Sequence, residues 1–160
     1  MMNTRAWLSG NGVQVTTIAA ARARADMAAS PNGLHTGEVM QFTENFYVEL
    51  KDASGSSVAE VLVDPATGAV LTEFGPAMMW TTGSAPYAVS SDAATTLANA
   101  WLQANAPGQT VAGMTDLFTG HYTMDTASGG NTVGMLSVNA TTGAVWYHTW
   151  HGTFVAKEDA

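Results

Sequence analysis

The chain has no cysteine among its 160 residues. Disulfides, thiolate metal sites, iron–sulfur clusters and the CxxCH attachment of c-type haem are therefore excluded. Basic residues are scarce too: 5 Lys and Arg stand against 13 Asp and Glu, a net charge of −8. Nucleic-acid recognition needs a basic footprint that this composition does not supply, and anionic membrane surfaces are disfavoured for the same reason. No apolar run approaches the ~20 residues that cross a bilayer. Catalytic signatures are also lacking. There is no GxSxG elbow, HExxH pair, SxxK or phosphate-binding glycine loop, and the spacing of Asp116 and His121 supports no triad. The expectation is a protein with no enzymatic role. The opening MMNTRAWLSG lacks the apolar centre of a secretory signal, which leaves either a cytoplasmic chain or one whose signal has been removed.

A 46% apolar fraction with 11% charged residues describes a chain that folds, not a disordered acidic tail. Its length suits one compact domain or two small ones. The weakly charged composition favours contact with other protein surfaces.

Two short β-type runs, 58–63 and 69–74, are joined by Asp64-Pro65-Ala66-Thr67-Gly68. Pro65 presets φ for the turn and Gly68 supplies a positive φ at its exit, so the stretch predicts a hairpin. The pattern returns as VGMLSVNATTGAVWYHTW, with Asn139 for Asp64 and Gly143 for Gly68, 75 positions on. Upstream, 15–30 predicts an alanine-rich helix capped by Thr16 or Thr17 and ended by Pro31-Asn32-Gly33. Its narrow face of Ile18, Ala21, Ala25 and Ala28 should lie flat on a sheet. A second helix runs from Ser90 or Ser91 to about Asn105. Residues 38–51 alternate as one long strand, with Phe42, Phe46, Val48 and Leu50 on one side and Glu44 interrupting it. The pairs Ala23/Ala98, Ala25/Ala100, Ala29/Ala104, Gly33/Gly108, Tyr47/Tyr122, Gly55/Gly130 and Val58/Val133 align at the same offset without a gap. The chain reads as a duplication. One feature disagrees: Phe118, Tyr122 and Met124 fall on the opposite parity from Phe42, Phe46 and Leu50. A bulge near Gly113 or Gly120 would restore the core face; the preferred reading is a sheet covered on both faces, one of them by the partner repeat.

The expected fold class is α+β, two tandem units, each a helix packed on an antiparallel sheet. The expected organisation is a leader at 1–13 that could serve as an inter-subunit arm, a first unit at 14–75, a linker at 76–88, a second unit at 89–152 and a tail at 153–160.

FTENFYVEL, VLVDPATGAVLTEFGP and the following MMW, with the helix–strand–hairpin order, resemble the PepSY domain, over 14–75 and again over 89–150. The GPxMMW segment resembles a small exported subfamily. The second unit departs from the pattern, with Asn139 at the acidic turn position and Gly152-Thr153-Phe154 where the methionine pair would be. The resemblance implies an extracellular, periplasmic or cell-surface module, its signal already removed, that binds or inhibits something without catalysis.

Three readings follow. The first is a self-assembling interaction protein, a filament subunit built through strand edges and the N-terminal arm, with Met1, Met2, Trp7, Leu8, Trp80, Trp146 and Trp150 at the contacts. The second is a copper-binding envelope protein. With 9 Met and 4 His and no thiolate, thioethers and imidazoles would suit Cu(I), and Met78, Met79, His148 and His151 are the ligand set. His148 and His151 are three apart, so on one strand they face opposite ways; chelation requires the strand to end near Trp150. An amino-terminal Cu(II) site would want histidine third, where Asn3 stands. The third is a propeptide-like inhibitor of a secreted peptidase. Tyr47 and Tyr122 read as shared packing, His35 and His121 as structural or solvated, and Asp64 as a turn former. The aromatic sides of the repeats are expected to be buried by packing rather than around titratable groups.

Overall fold

A computed structural model describes residues 6–81 and 86–159. The fold is α+β: the described residues form two antiparallel sheets and three α-helices. The chain divides into two compact units, Met1–Met78 with Trp150–Ala160, and Met79–Thr149. Among the described residues no helix is long and apolar enough to cross a membrane.

The first unit begins with β1 (Ala6–Leu8) and α1 (Ile18–Ala29). Thr17 caps the helix by accepting the Ala20 N–H at 3.1 Å, which satisfies one of the free amides of the first turn. A 3₁₀ turn, Ser30–Asn32, then ends on Gly33 at φ 71°. Strands β2 (His35–Phe42), β3 (Phe46–Lys51), β4 (Ser57–Val63) and β5 (Val70–Thr72) follow as an antiparallel meander. A single helical turn, α2 (Pro76–Met79), comes after it. The last strand, β10 (Phe154–Glu158), returns to pair with β2. The sheet order is β1-β5-β4-β3-β2-β10. Ala21, Ala25, Ala28 and Ala29 are buried against Val39, Phe46, Val48, Leu50, Val61, Val63 and Val70. Side chains this small let the helix axis approach the sheet closely, as the alanine face predicts.

Three sequence boundaries change. The long strand at 38–51 is two strands, because the Phe42 N–H bonds the Asn45 carbonyl at 2.9 Å and the chain reverses between them. Phe42 therefore lies on the face opposite Phe46, stacked on His151 at 4.3 Å. The leader contributes β1 to its own unit's sheet, with Ala6 opposite Leu71. The stretch at 153–160 is no loose tail, since it carries β10.

The second unit holds α3 (Ser91–Asn105), capped by Ser90, and strands β6 (Gln109–Phe118), β7 (His121–Ser128), β8 (Asn131–Asn139) and β9 (Val145–Tyr147), in the order β6-β7-β8-β9. Its core gathers Ala94, Ala98, Leu102, Tyr122, Met124, Leu136, Val138 and Ala140. Helix and four-strand meander repeat those of the first unit. The terminal hairpins match bond for bond: the Gly68 N–H meets the Asp64 carbonyl at 2.8 Å, and the Gly143 N–H meets that of Asn139 at 2.9 Å.

The parity conflict has a local cause. Ladder pairs put Thr36 and Val111 at equivalent positions, but Phe46 and Tyr122, and likewise Val48 and Met124, stand one residue further apart than the repeat offset. The extra residue enters at a bulge between Ala112 and Asp116, where Gly113 adopts φ 69°. It is given back in the β7–β8 connection: five residues separate the paired Lys51 and Ser57, four separate Ala127 and Thr132. The gap-free alignment is thus corrected by one insertion and one deletion. Tyr122 takes the core place of Phe46, and Thr123 that of Tyr47. Both faces of β7 are nonetheless buried from His121 to Thr126.

Candidate functional site

Strand alternation puts Phe46, Val48 and Leu50 under α1, so Tyr47 and Glu49 project from the other face of the first sheet. That face is buried and mixed, with Met40, Phe42 and Leu62 beside Tyr47, Glu49 and Glu60. Glu49 lies directly opposite Glu60 across β3 and β4. The Glu73 N–H bonds the Glu60 carbonyl at 3.0 Å, which sets Glu73 beside Glu60 on the next strand. Three glutamates thus form a row, at 3%, 2% and 1% exposure. Like charges set side by side and out of water are costly unless partnered, and each has a partner. Ser57 donates to Glu49 Oε2 at 2.6 Å, with Lys51 Nζ 3.6 Å from Oε1. Tyr47 donates its O–H to Glu60 Oε2 at 2.8 Å. Glu73 meets His151. Burial first, and then the negative charges of Glu60, Glu73 and Glu49, hold the Tyr47 hydroxyl protonated well above its ordinary range.

The Glu73–His151 pair is the chemical centre of this face. Glu73 Oε1 lies 2.9 Å from His151 Nε2, with both side chains buried. The Trp150 indole N–H also donates to Glu73 Oε1, at 3.3 Å. On its other side, His151 Nδ1 lies 2.7 Å from Asn45 Oδ1. The Asn45 amide nitrogen is committed to the Trp150 carbonyl at 3.1 Å, so its oxygen must face the ring and Nδ1 must carry the hydrogen. This fixes Nδ1 as a donor and aims Nε2 at the carboxylate. An imidazole held through one nitrogen by an amide oxygen, with the other beside a carboxylate, is the donor arrangement that metal ions take. Glu73 and His151 could each offer one ligand atom to a metal ion.

His148, three residues upstream of His151 and equally buried, belongs to the second unit. There its backbone N–H bonds the Met135 carbonyl at 3.0 Å, and Nε2 lies 2.9 Å from Ser137 Oγ. The repeat places His148 where the first unit has Glu73, and Met135 where it has Glu60.

Met78 is buried in the single turn α2, and Met79 is 44% exposed. Trp80 packs edge-on to Trp146 at 5.3 Å. Trp150 packs on Phe74 at 6.3 Å, and Trp7 donates to Thr72 Oγ1 at 3.1 Å. Leu8 sits in β1 against the first core; Met1 and Met2 lie outside the described residues. His35 is exposed, and His121 is buried and stacked on Phe118. Sequence reasoning found His151 but missed Glu73, Asn45, Tyr47 and Glu60. The available signal was the repeat itself, which aligns Glu73 with a histidine, and the run of glutamates at matching strand positions.

The fold and site define a class: an α+β protein of two antiparallel sheets with a buried carboxylate–imidazole pair on the face of its first sheet away from α1. A scan of protein-family models finds no matching family, and searches of curated proteins and of solved structures find no match.

Proposed function

We propose that this is an exported, non-catalytic metal-binding protein whose centre is Glu73 with His151, and that its physiological ion is copper. The observation that carries this reading is the orientation of His151, its Nδ1 held at 2.7 Å by Asn45 and its Nε2 turned to Glu73. One imidazole and one carboxylate form a nitrogen–oxygen set, which suits Cu(II), with Zn(II) as its competitor, better than the thioether set that Cu(I) would prefer. The PepSY-like order of helix and hairpins, and the absence of catalytic motifs, support a binding role outside the cytoplasm.

The test is calorimetric titration of the protein with Cu(II) and with Zn(II), beside elemental analysis. Saturable binding of one ion, weakened at least about tenfold in Glu73→Gln and in His151→Gln, is expected. An ion present at ~100 times its Kd adds about 2.7 kcal/mol to stability, so melting temperature should rise with it. His148→Ala reports whether the first histidine of the His-x-x-His spacing joins. A wild-type protein that binds neither ion, and melts at the same temperature with both, overturns the reading and leaves Glu73–His151 a structural ion pair. The reading as an interaction protein is favoured by a separate observation, the one-sided pairing of β9.

A further inference from the structure

In the first unit the outer edge of β5 is filled. β1 pairs with it antiparallel, Leu8 opposite Val70 and Ala6 opposite Leu71, and Trp7 and Leu8 pack against the core. β9 is the same strand in the second copy, Val145, Trp146 and Tyr147 standing where Val70, Leu71 and Thr72 stand. Among the described residues β9 pairs with β8 on one side and with no strand on the other. Its backbone is oriented to accept one. The His148 N–H bonds Met135, and the Ala144 carbonyl accepts from Asn139. Residues 144, 146 and 148 therefore turn their polar backbone groups toward β8, and strand alternation leaves those of Val145 and Tyr147 facing outward. Beside this edge the rim of the core stays half-buried: Val89, Trp101, Val145 and Tyr147, with Trp101 stacked on Tyr147 at 5.6 Å. Where β1 covers the equivalent edge, Val70 is fully buried.

The described residues thus carry two acceptor edges of one design and a single strand seated on either. We propose that β9 accepts an extended apolar segment of another protein, added antiparallel as β1 is added to β5, whose aromatic–aliphatic pair resembles Trp7–Leu8. Main-chain hydrogen bonds to Val145 and Tyr147 give the affinity, and the rim beside Trp101 receives the aromatic side chain. This inference is independent of the metal centre.

The experiment uses a capped peptide of sequence TRAWLSG as the probe, titrated into the full-length protein and followed by amide chemical shifts. Saturable shifts centred on Val145–Tyr147 are expected. Val145→Pro removes one outward N–H at the first position of the strand, where proline is tolerated, without touching the β8 ladder; affinity should fall at least about tenfold. The same peptide N-methylated at its Leu amide should not bind, and this arm decides the matter if Val145→Pro does not fold. The proposal is overturned by absence of binding at millimolar peptide, by shifts centred on Val70–Thr72 or on another strand, or by equal binding of the N-methylated peptide.

Discussion

Tyr47 sits among three glutamates with its hydroxyl donated to one of them, and its ionisation is where this buried row of carboxylates becomes measurable. A free tyrosine loses its proton near pH 10. In the folded protein, burial and the neighbouring carboxylates raise that value. The sign follows from linkage: below about pH 10 both states hold the proton and the full contribution is present, and as pH rises toward the folded value the unfolded state ionises first and stability falls. Tyr47→Phe should therefore cost about 1–3 kcal/mol at pH 7, where the bond to Glu60 is lost. It should also flatten the alkaline decline by up to about 1.4 kcal/mol per pH unit. Urea unfolding at pH 7 and between pH 9 and 11 measures both; an alkaline slope unchanged in the variant would assign it to other groups. Little of this was legible beforehand. Alternation sets Glu49 on the side away from Phe46 and Leu50, no motif in the sequence singles out Glu60 or Glu73, and the expected aromatic packing gives no hint of the three together. Alternation tells which residues share a face, but not whether that face meets water.

Among the elements, β6 decides how open the second sheet is. It is ten residues long and, among the described residues, has β7 on one side only, the kind of edge that invites pairing with another chain. Two features blunt it. Asn99 on α3 accepts the Val111 N–H at 2.9 Å, and the bulge at Gly113 breaks the ladder beyond it. Asn99→Ala should cost about 0.5–1.5 kcal/mol and speed hydrogen exchange at the Val111 amide, while Asn99→Asp, which keeps an acceptor, should restore protection. Exchange at Val111 that is identical in all three proteins would show that the side chain does not guard the edge. Elements announced by local chemistry were legible: both helices with their Thr17 and Ser90 caps, and the twin hairpins closed on Gly68 and Gly143. The reversal at 43–45 was not, since only Glu44 interrupts an alternation that runs on through it. The slip at Gly113 was visible as a parity conflict, but its compensation after β7 depends on ladder register, which sequence spacing does not carry.

At the scale of the whole molecule, the first unit is assembled from two distant stretches of chain. Its sixth strand arrives only after the entire second unit has been traversed. β10 lies along β2 with Phe154 opposite Phe42 and Glu158 opposite Val39. The Phe154 ring meets Phe42 edge-on at 5.7 Å, and Arg22 pairs with Glu158 at 3.5 Å. Such part-exposed ion pairs contribute little, so the ladder and the aromatic contact carry the strand. Neither β1 nor β10 could be read from composition, because strands of three and five residues show almost no periodicity and owe their form to the edge they join. Ending the chain after Gly152 removes the β10 ladder and uncovers β2, a loss of a few kcal/mol on ordinary hydrogen-bond and burial magnitudes. For a chain of this length that corresponds to a fall in melting temperature of about 5–10 °C, with faster exchange at Val39–Phe42 as its local signature. Calorimetry of the two proteins side by side measures the first and exchange the second. Unchanged values in both would mean that the first sheet is complete with five strands, and that β10 only rests against it.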